Sequence, residues 1–233
     1  MVRTEKSRQA GSSTRLAESR VSKPNSNIRF FLIRHAIKQK EIGDVPITPA
    51  GMEQAKLTAQ YLSRSPWSID AVISSPLRRA VETAHYIAAE VKVPLIRDNR
   101  LRERANWGDL PEQTFQEFVE MWEKCTREPD YIPPVGDSAR QASERMSSLL
   151  LELVNTYPPG SQVVIVTHGG LITDFLVNTF SEAVLNQFHP SFIAEQSNLV
   201  SECAITKLNY DGESFVIEDF ASVDHLSAPR REA

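Results

Sequence analysis

In "FFLIRHAIKQK" four consecutive apolar residues, Phe30 to Ile33, run straight into Arg34 and His35. An unbroken apolar run of strand length predicts a strand buried on both faces. The polar stretch "IKQKEIGDVPIT", with Gly43 and Pro46, then reads as a loop. In "TPAGMEQAKLTAQYLSR" Thr48 is placed to cap a helix with Pro49 at its first position. Ala55, Leu57, Ala59, Tyr61 and Leu62 sustain that helix to about Arg64. "DAVISS" (70–75) predicts a second strand, "PLRRAVETAHYIAAEV" a helix starting at Pro76, and "VPLIRD" (93–98) a short third strand. Residues 99–136 are less regular, but "TFQEFVEMWEKCTRE" is amphipathic, with Phe115, Phe118, Met121 and Trp122 on one side. "SARQASERMSSLLLELVNTY" predicts a long helix capped by Asp137 or Ser138. The clearest segment is "QVVIVTHGGLITDFLVNTF", where Val163 to Val166 lead to Thr167, His168, Gly169 and Gly170 and then a helix. "ECAITKLNY-DGE-SFVIEDFA" predicts a hairpin turning at Asp211-Gly212.

Strands that alternate with helices predict an α/β fold: three layers, α/β/α, around a mostly parallel central sheet. The helical stretch at residues 113–128 is expected to cap one edge. The 233 residues, 41% of them apolar, suffice for one sizeable core. The first 28 residues differ from the rest. They hold six Lys or Arg against two Glu and few large apolar groups, and so predict a disordered tail of charge about +4. This tail lacks the apolar core of a secretory signal, and Glu5 and Glu18 argue against an organelle transit peptide. The expected domain spans residues 29–226, with a short tail at 227–233. The formal net charge of −4 does not suit a chain that coats nucleic acid. No apolar run approaches the roughly 18 residues of a membrane span. Cys125 and Cys203 are far apart and not in a metal spacing, which fits a reducing, cytoplasmic setting.

In open α/β sheets ligands bind beyond the carboxyl ends of the strands. One exit carries Arg34 and His35. A second carries Ser74 and Ser75, with Arg79 in the next helix. A third carries Thr167 and His168, then Gly169 and Gly170 at a helix start. All three should face one crevice. Two arginines offer forked, permanent positive charge suited to phosphate oxygens. Gly169 and Gly170 let backbone N–H groups approach an anion. Of the two histidines, one could attack phosphorus and the other donate a hydrogen bond. No His, Cys or Asp spacing suggests a metal, so no cofactor is expected and the arginines must neutralise the charge.

Taken together, "LIRHA" (32–36), "DVPITPAGMEQA" (44–55), "ISSPLRRAVETA" (73–84), "LRERANWGD" (101–109), "VGDSARQASER" (135–145) and "VTHGG" (166–170) resemble the histidine phosphatase superfamily, the phosphoglycerate mutase-like fold, over roughly residues 28–226. The resemblance implies that His35 is a nucleophile carrying phosphohistidine. It implies that Arg34, Arg79 and His168 hold the phosphoryl oxygens and that Glu103 protonates the leaving group. The implied activity is metal-independent hydrolysis of a phosphomonoester, on a small molecule or a phosphoprotein. The rivals are a mutase and a catalytically idle phosphoprotein-binding module. Three departures stand out. Ala36 replaces the usual glycine, the segment from Glu103 to Gly108 is one residue longer than the commonest spacing, and the short loop after His35 offers Lys38 and Lys40 where mutases carry an asparagine. That loop argues against a mutase.

Other chemistry-bearing residues receive plainer readings. Arg78 is expected on a solvated face, about 100° around the helix from Arg79. His85 sits at core-like spacing and is expected to be structural, and His189 and His225 to be structural or exposed. Trp107, Phe115, Phe118 and Trp122 could line a substrate pocket, but aromatic residues at helical spacing are more often core, and the core is the expectation. Ser138 is read first as a helix cap. The plain alternative for Glu103 is a salt bridge with Arg102 or Arg104.

Overall fold

The apolar run of the first strand does face both ways. In the computed structural model, which describes residues 27–227, β1 (Ile28–Arg34) buries Phe30 and Leu32 on one side and Phe31 and Ile33 on the other. The predicted N-terminal tail lies outside the described residues except for Asn27 and Ile28, and Ile28 opens β1 as a buried residue. Of the C-terminal tail only Ser227 is described. The other strands are β2 (Ala71–Ser74), β3 (Leu95–Arg97), β4 (Gln162–Thr167), β5 (Ile205–Tyr210) and β6 (Phe215–Ser222). They form one sheet in the order β3-β2-β4-β1-β5-β6. The first four of that order are parallel, and β5 and β6 are antiparallel additions.

The helices are α1 (Pro49–Ser63), α2 (Arg78–Val91), α3 (Phe115–Arg127), α4 (Ala139–Thr156), α5 (Gly169–Thr179) and two short turns of helix, α6 (Glu182–Leu185) and α7 (Phe192–Glu195). Ala59, Leu62, Ala84 and Ile87 of α1 and α2 pack on Phe31, Ile33, Val164 and Val166. Met146, Leu149, Ile172 and Phe175 of α4 and α5 pack on the opposite face, against Phe30, Leu32, Val163 and Ile165. This is the expected three-layer α/β/α arrangement. Thr48 caps α1 by accepting from the Gly51 amide, and Ser138 caps α4 with Gln141 in a reciprocal box. The start of α2 is displaced by two residues from Pro76. Leu77 is extended (ψ 137°) and takes the cap position instead, and the first amides are met by side chains before the helix: Asp44 accepts from Arg78 and the Ser75 hydroxyl from Leu77.

The chain leaves β1 towards β2 through α1, and leaves β4 towards β5 through α5 on the other face. Adjacent strands whose connections diverge form a crevice at their carboxyl ends. The register sets Arg34 opposite Thr167 there, so His35 and His168 follow side by side.

α3 covers this crevice. Its anchor is Arg104, which is buried and reaches Asp174 of α5 (Nη1–Oδ1 2.6 Å), the Trp122 carbonyl and the Thr126 hydroxyl. The guanidinium also lies 3.8 Å from the centre of the Trp122 ring. Arg104→Met strands the buried Asp174 carboxylate and is expected to cost about 3–5 kcal/mol, a melting point lower by roughly 10 °C. Burial pushes the Asp174 carboxyl up to about 7, against the pull of Arg104. A carboxyl raised in the fold keeps a proton that the unfolded chain releases, so its contribution to stability is lost as pH rises. The Arg104→Met deficit should therefore be larger at about pH 8 than at about pH 5. Melting curves at both pH values test this, and equal deficits would show that Asp174 is not the group left stranded.

Candidate active site

His35 is buried, and its orientation is set at both ring nitrogens. Nδ1–H donates to the Ala36 carbonyl at 2.8 Å, because a carbonyl can only accept. Nε2 therefore keeps its lone pair in the neutral ring, and Arg79 Nε donates towards it at 3.2 Å. Burial first and Arg79 second hold the His35 pKa well below the ordinary histidine value. Ala36 is accommodated without strain. Among the described non-glycine residues, positive φ occurs at Lys92, Glu112, Cys203 and Ala221 only, and the Ala36 amide donates to the Thr83 hydroxyl.

His168 meets His35 edge-on, with ring centroids 5.2 Å apart. Its Nε2 pairs with the Ser75 hydroxyl at 2.8 Å, which ties the exit of β4 to that of β2. Burial and then Arg79 lower its pKa well below the ordinary value. His168 Nδ1 and Arg79 Nη1 are both buried without a hydrogen-bond partner. An unsatisfied buried polar group costs about 1–3 kcal/mol, and an oxyanion beside His35 can satisfy both.

Arg34 enters from the other side. Nη1 donates to the Val200 carbonyl at 2.6 Å and Nη2 to Glu202 at 2.7 Å. A side chain on Gly169 would press against it, a Cβ there lying 3.2 Å from Arg34 Cδ. Cys203, buried with φ of 58°, forms the tight turn that delivers Glu202. Gly169 opens α5 beside this guanidinium.

Glu103 reaches the same crevice. Its Oε2 accepts from the Gly170 amide at 3.2 Å and its Oε1 from the Arg104 amide at 3.1 Å. The salt-bridge alternative for Glu103 is taken up by other carboxylates: Arg102 pairs with Asp137 and Arg104 with Asp174. Arg145 of α4 steadies the loop by donating to the Arg100 and Arg102 carbonyls and pairing with Asp137. The Thr167 hydroxyl adds a bond to the Leu101 carbonyl. The longer Glu103–Gly108 segment is absorbed where Gly108, with φ of 107°, packs on Gly43, and the Gly43 amide donates to the Trp107 carbonyl.

All six residues singled out in the sequence, Arg34, His35, Arg79, Glu103, His168 and Gly169, thus converge, and five of them line one cleft of about 450 Å³, with His168 beneath it. Two expectations need correction. Trp107, Phe115, Phe118 and Trp122 line the cleft rather than the core, since helical periodicity defines a stripe but not what the stripe faces. His85 is exposed on α2. Glu202 was not anticipated, nor was the Arg104–Asp174 pair. Arg78 lies, as read, on the solvated face with Glu82. His225 pairs with Thr58, and His189 accepts from the Ser191 amide. Among the described residues no three His, Cys, Asp or Glu side chains cluster as metal ligands, and no helix is long and apolar enough to cross a membrane.

A doubly wound α/β sheet with paired histidines and arginines at its switch point defines a protein that handles anionic, phosphoryl-type groups. Residues 30–222 match the histidine phosphatase superfamily (branch 1), and the chain belongs to that family. It is 27% identical to the uncharacterized phosphatase PhoE of Bacillus subtilis over 84% of this chain and 95% of that one. It is 30% identical to the probable phosphoglycerate mutase GpmB of Cronobacter sakazakii, over 87% of this chain and 96% of that one. Among solved structures, a phosphoserine phosphatase mutant of Entamoeba histolytica in complex with phosphoserine superposes with a TM-score of 0.66 at 25% identity, over 86% of this chain and all of that one.

Proposed function

We propose that this protein is a metal-independent phosphatase that hydrolyses a small-molecule phosphomonoester through phosphohistidine at His35. The observation that carries the reading is the fixed tautomer: Nδ1–H is committed to the Ala36 carbonyl, so the lone pair lies on Nε2, which attacks once the Arg79 Nε–H that faces it turns to a phosphoryl oxygen. In the first step Nε2 bonds to phosphorus as the bond to the leaving oxygen breaks. That oxygen takes a proton from Glu103. In the second step Glu103 accepts a proton from water, the water oxygen bonds to phosphorus, and the N–P bond breaks to release inorganic phosphate and neutral His35. Arg34, Arg79, His168 Nδ1 and the Gly169 amide hold the phosphoryl oxygens, whose charge grows in each transition state. A cytoplasmic setting belongs to the same proposal, since both cysteines are free and buried. The loop after His35 places Lys38, Lys40 and Glu41 on the cleft wall. A mutase must shield the phosphoenzyme from water around a small substrate, and this broad cleft favours hydrolysis.

With two guanidinium groups neutralising the phosphoryl dianion, chelator is expected to leave turnover unchanged. A screen over sugar phosphates, nucleotides, phosphoglycerates and phosphopeptides, run with and without chelator, tests this. Loss of activity on chelation that magnesium or zinc restores would overturn the metal-independent mechanism.

A further inference from the structure

We infer, resting on the phosphatase reading above, that the preferred substrate is the phosphomonoester of a bulky apolar alcohol, whose carbon skeleton lies along the aromatic wall formed by α3 and Trp107. An amphipathic helix ordinarily turns its apolar stripe to a core. In α3 only Cys125 is buried. Phe115, Phe118 and Trp122, three and four residues apart, face the cleft instead and join none of the clusters that pack on the sheet. Trp107 meets Phe115 edge-on at 5.0 Å, and Phe118 lies 6.0 Å from Trp122. The result is a continuous apolar surface along the cleft, backed at Trp122 by the Arg104 guanidinium and Gly170.

This surface starts at the chemistry. Trp122 lies so close to Gly170 that a Cβ there would stand 2.5 Å from the indole ring, and the Gly170 amide is the one that holds Glu103. The wall therefore begins beside the group placed to protonate the leaving oxygen. It continues outward to Phe115, which is 58% exposed. The loop after His35 adds Lys38 and Lys40 with Glu41 beside them, while Glu202 is already paired with Arg34, so the loop contributes one net positive charge beyond the phosphoryl-facing arginines. A cleft of about 450 Å³ lies in the range that holds a drug-sized ligand. A phosphate with a three-carbon polar leaving group would leave the aromatic wall in water.

The test uses alkyl phosphates and their non-hydrolysable phosphonates, from ethyl to hexyl. Their alkoxide leaving groups have nearly equal basicity, so chain length reads burial alone. Each buried methylene should raise kcat/KM, and tighten phosphonate binding, about fourfold. The whole series then spans about 10²-fold. Tryptophan fluorescence reports binding, because Trp107 and Trp122 line the wall. Hexyl phosphate should exceed phosphoserine in kcat/KM. Phe118→Ala, and Phe115→Ser at the exposed rim, should flatten the dependence on chain length mainly through KM. Phosphonate affinity independent of chain length, or phosphoserine turned over better than hexyl phosphate, would overturn the inference. Tight, chain-length-dependent phosphonate binding with no hydrolysis of any phosphate would support the apolar slot while overturning the phosphatase reading.

Discussion

Enzyme quenched into base during turnover is expected to carry one phosphoryl group on His35, and His35→Ala to lose label and turnover together. The bond in question joins phosphorus to an imidazole nitrogen, so it survives base and is lost in acid. The reason to look at Nε2 is geometric. Nδ1–H is held by the Ala36 carbonyl, Arg79 donates towards Nε2, and His168 closes the far side of the ring. Burial together with the Arg79 charge keeps the ring neutral at neutral pH, the form that can attack. Removing a nucleophile that acts in concert with its neighbours costs on the order of 10⁶ in kcat in a well-studied hydrolase, and a loss of that order is expected here. Because His35 is buried, the melting temperature of the variant must be measured beside its activity. Label that persists on folded His35→Ala protein would assign the nucleophile elsewhere. Ser75 and His168 would then be the first groups to examine.

Much of this site is legible along the chain because the crevice is made of strand exits. A buried parallel strand is an unbroken apolar run, and the point where the run stops on polar residues marks the rim of the sheet. Arg34-His35 and Thr167-His168 sit at two such points, and the parallel pairing of β1 with β4 brings them together. Helix caps are equally local: Thr48 and Ser138 each act within three residues of themselves. What is not legible depends on distant partners. Glu202 meets Arg34 across 168 positions, and Arg104 meets Asp174 across 70. No spacing rule links such residues. The aromatic stripe of α3 has the correct period but needed the third dimension to show that it faces a cleft. α6 and α7, at four residues each, are too short to display a helical period.

Glu103→Gln is expected to slow hydrolysis of alkyl phosphates by about 10²–10⁴-fold while slowing nitrophenyl phosphate far less. Alkyl phosphates expel a strongly basic alkoxide, which leaves well only if a proton arrives as the P–O bond breaks. Nitrophenolate is a stable anion and hardly needs that proton. The position of Glu103 suits the task. The Gly170 and Arg104 amides fix its carboxyl at the rim of the phosphoryl crevice, and Arg145, Asp137 and Thr167 steady the loop that carries it. Glutamine keeps the size but has one acceptor oxygen, so it can hold only one of the two amides; the fold should be retained, while the transferable proton and one amide hydrogen bond are lost. A purely structural role predicts a different pattern: modest, equal losses on both substrates with a lower melting temperature. Measuring both substrates and the melting curve on one variant separates the two. Equal losses on both substrates would remove Glu103 from the role of acid and turn attention to Asp109, whose carboxylate bears electrostatically on the Arg79 side of the same cleft.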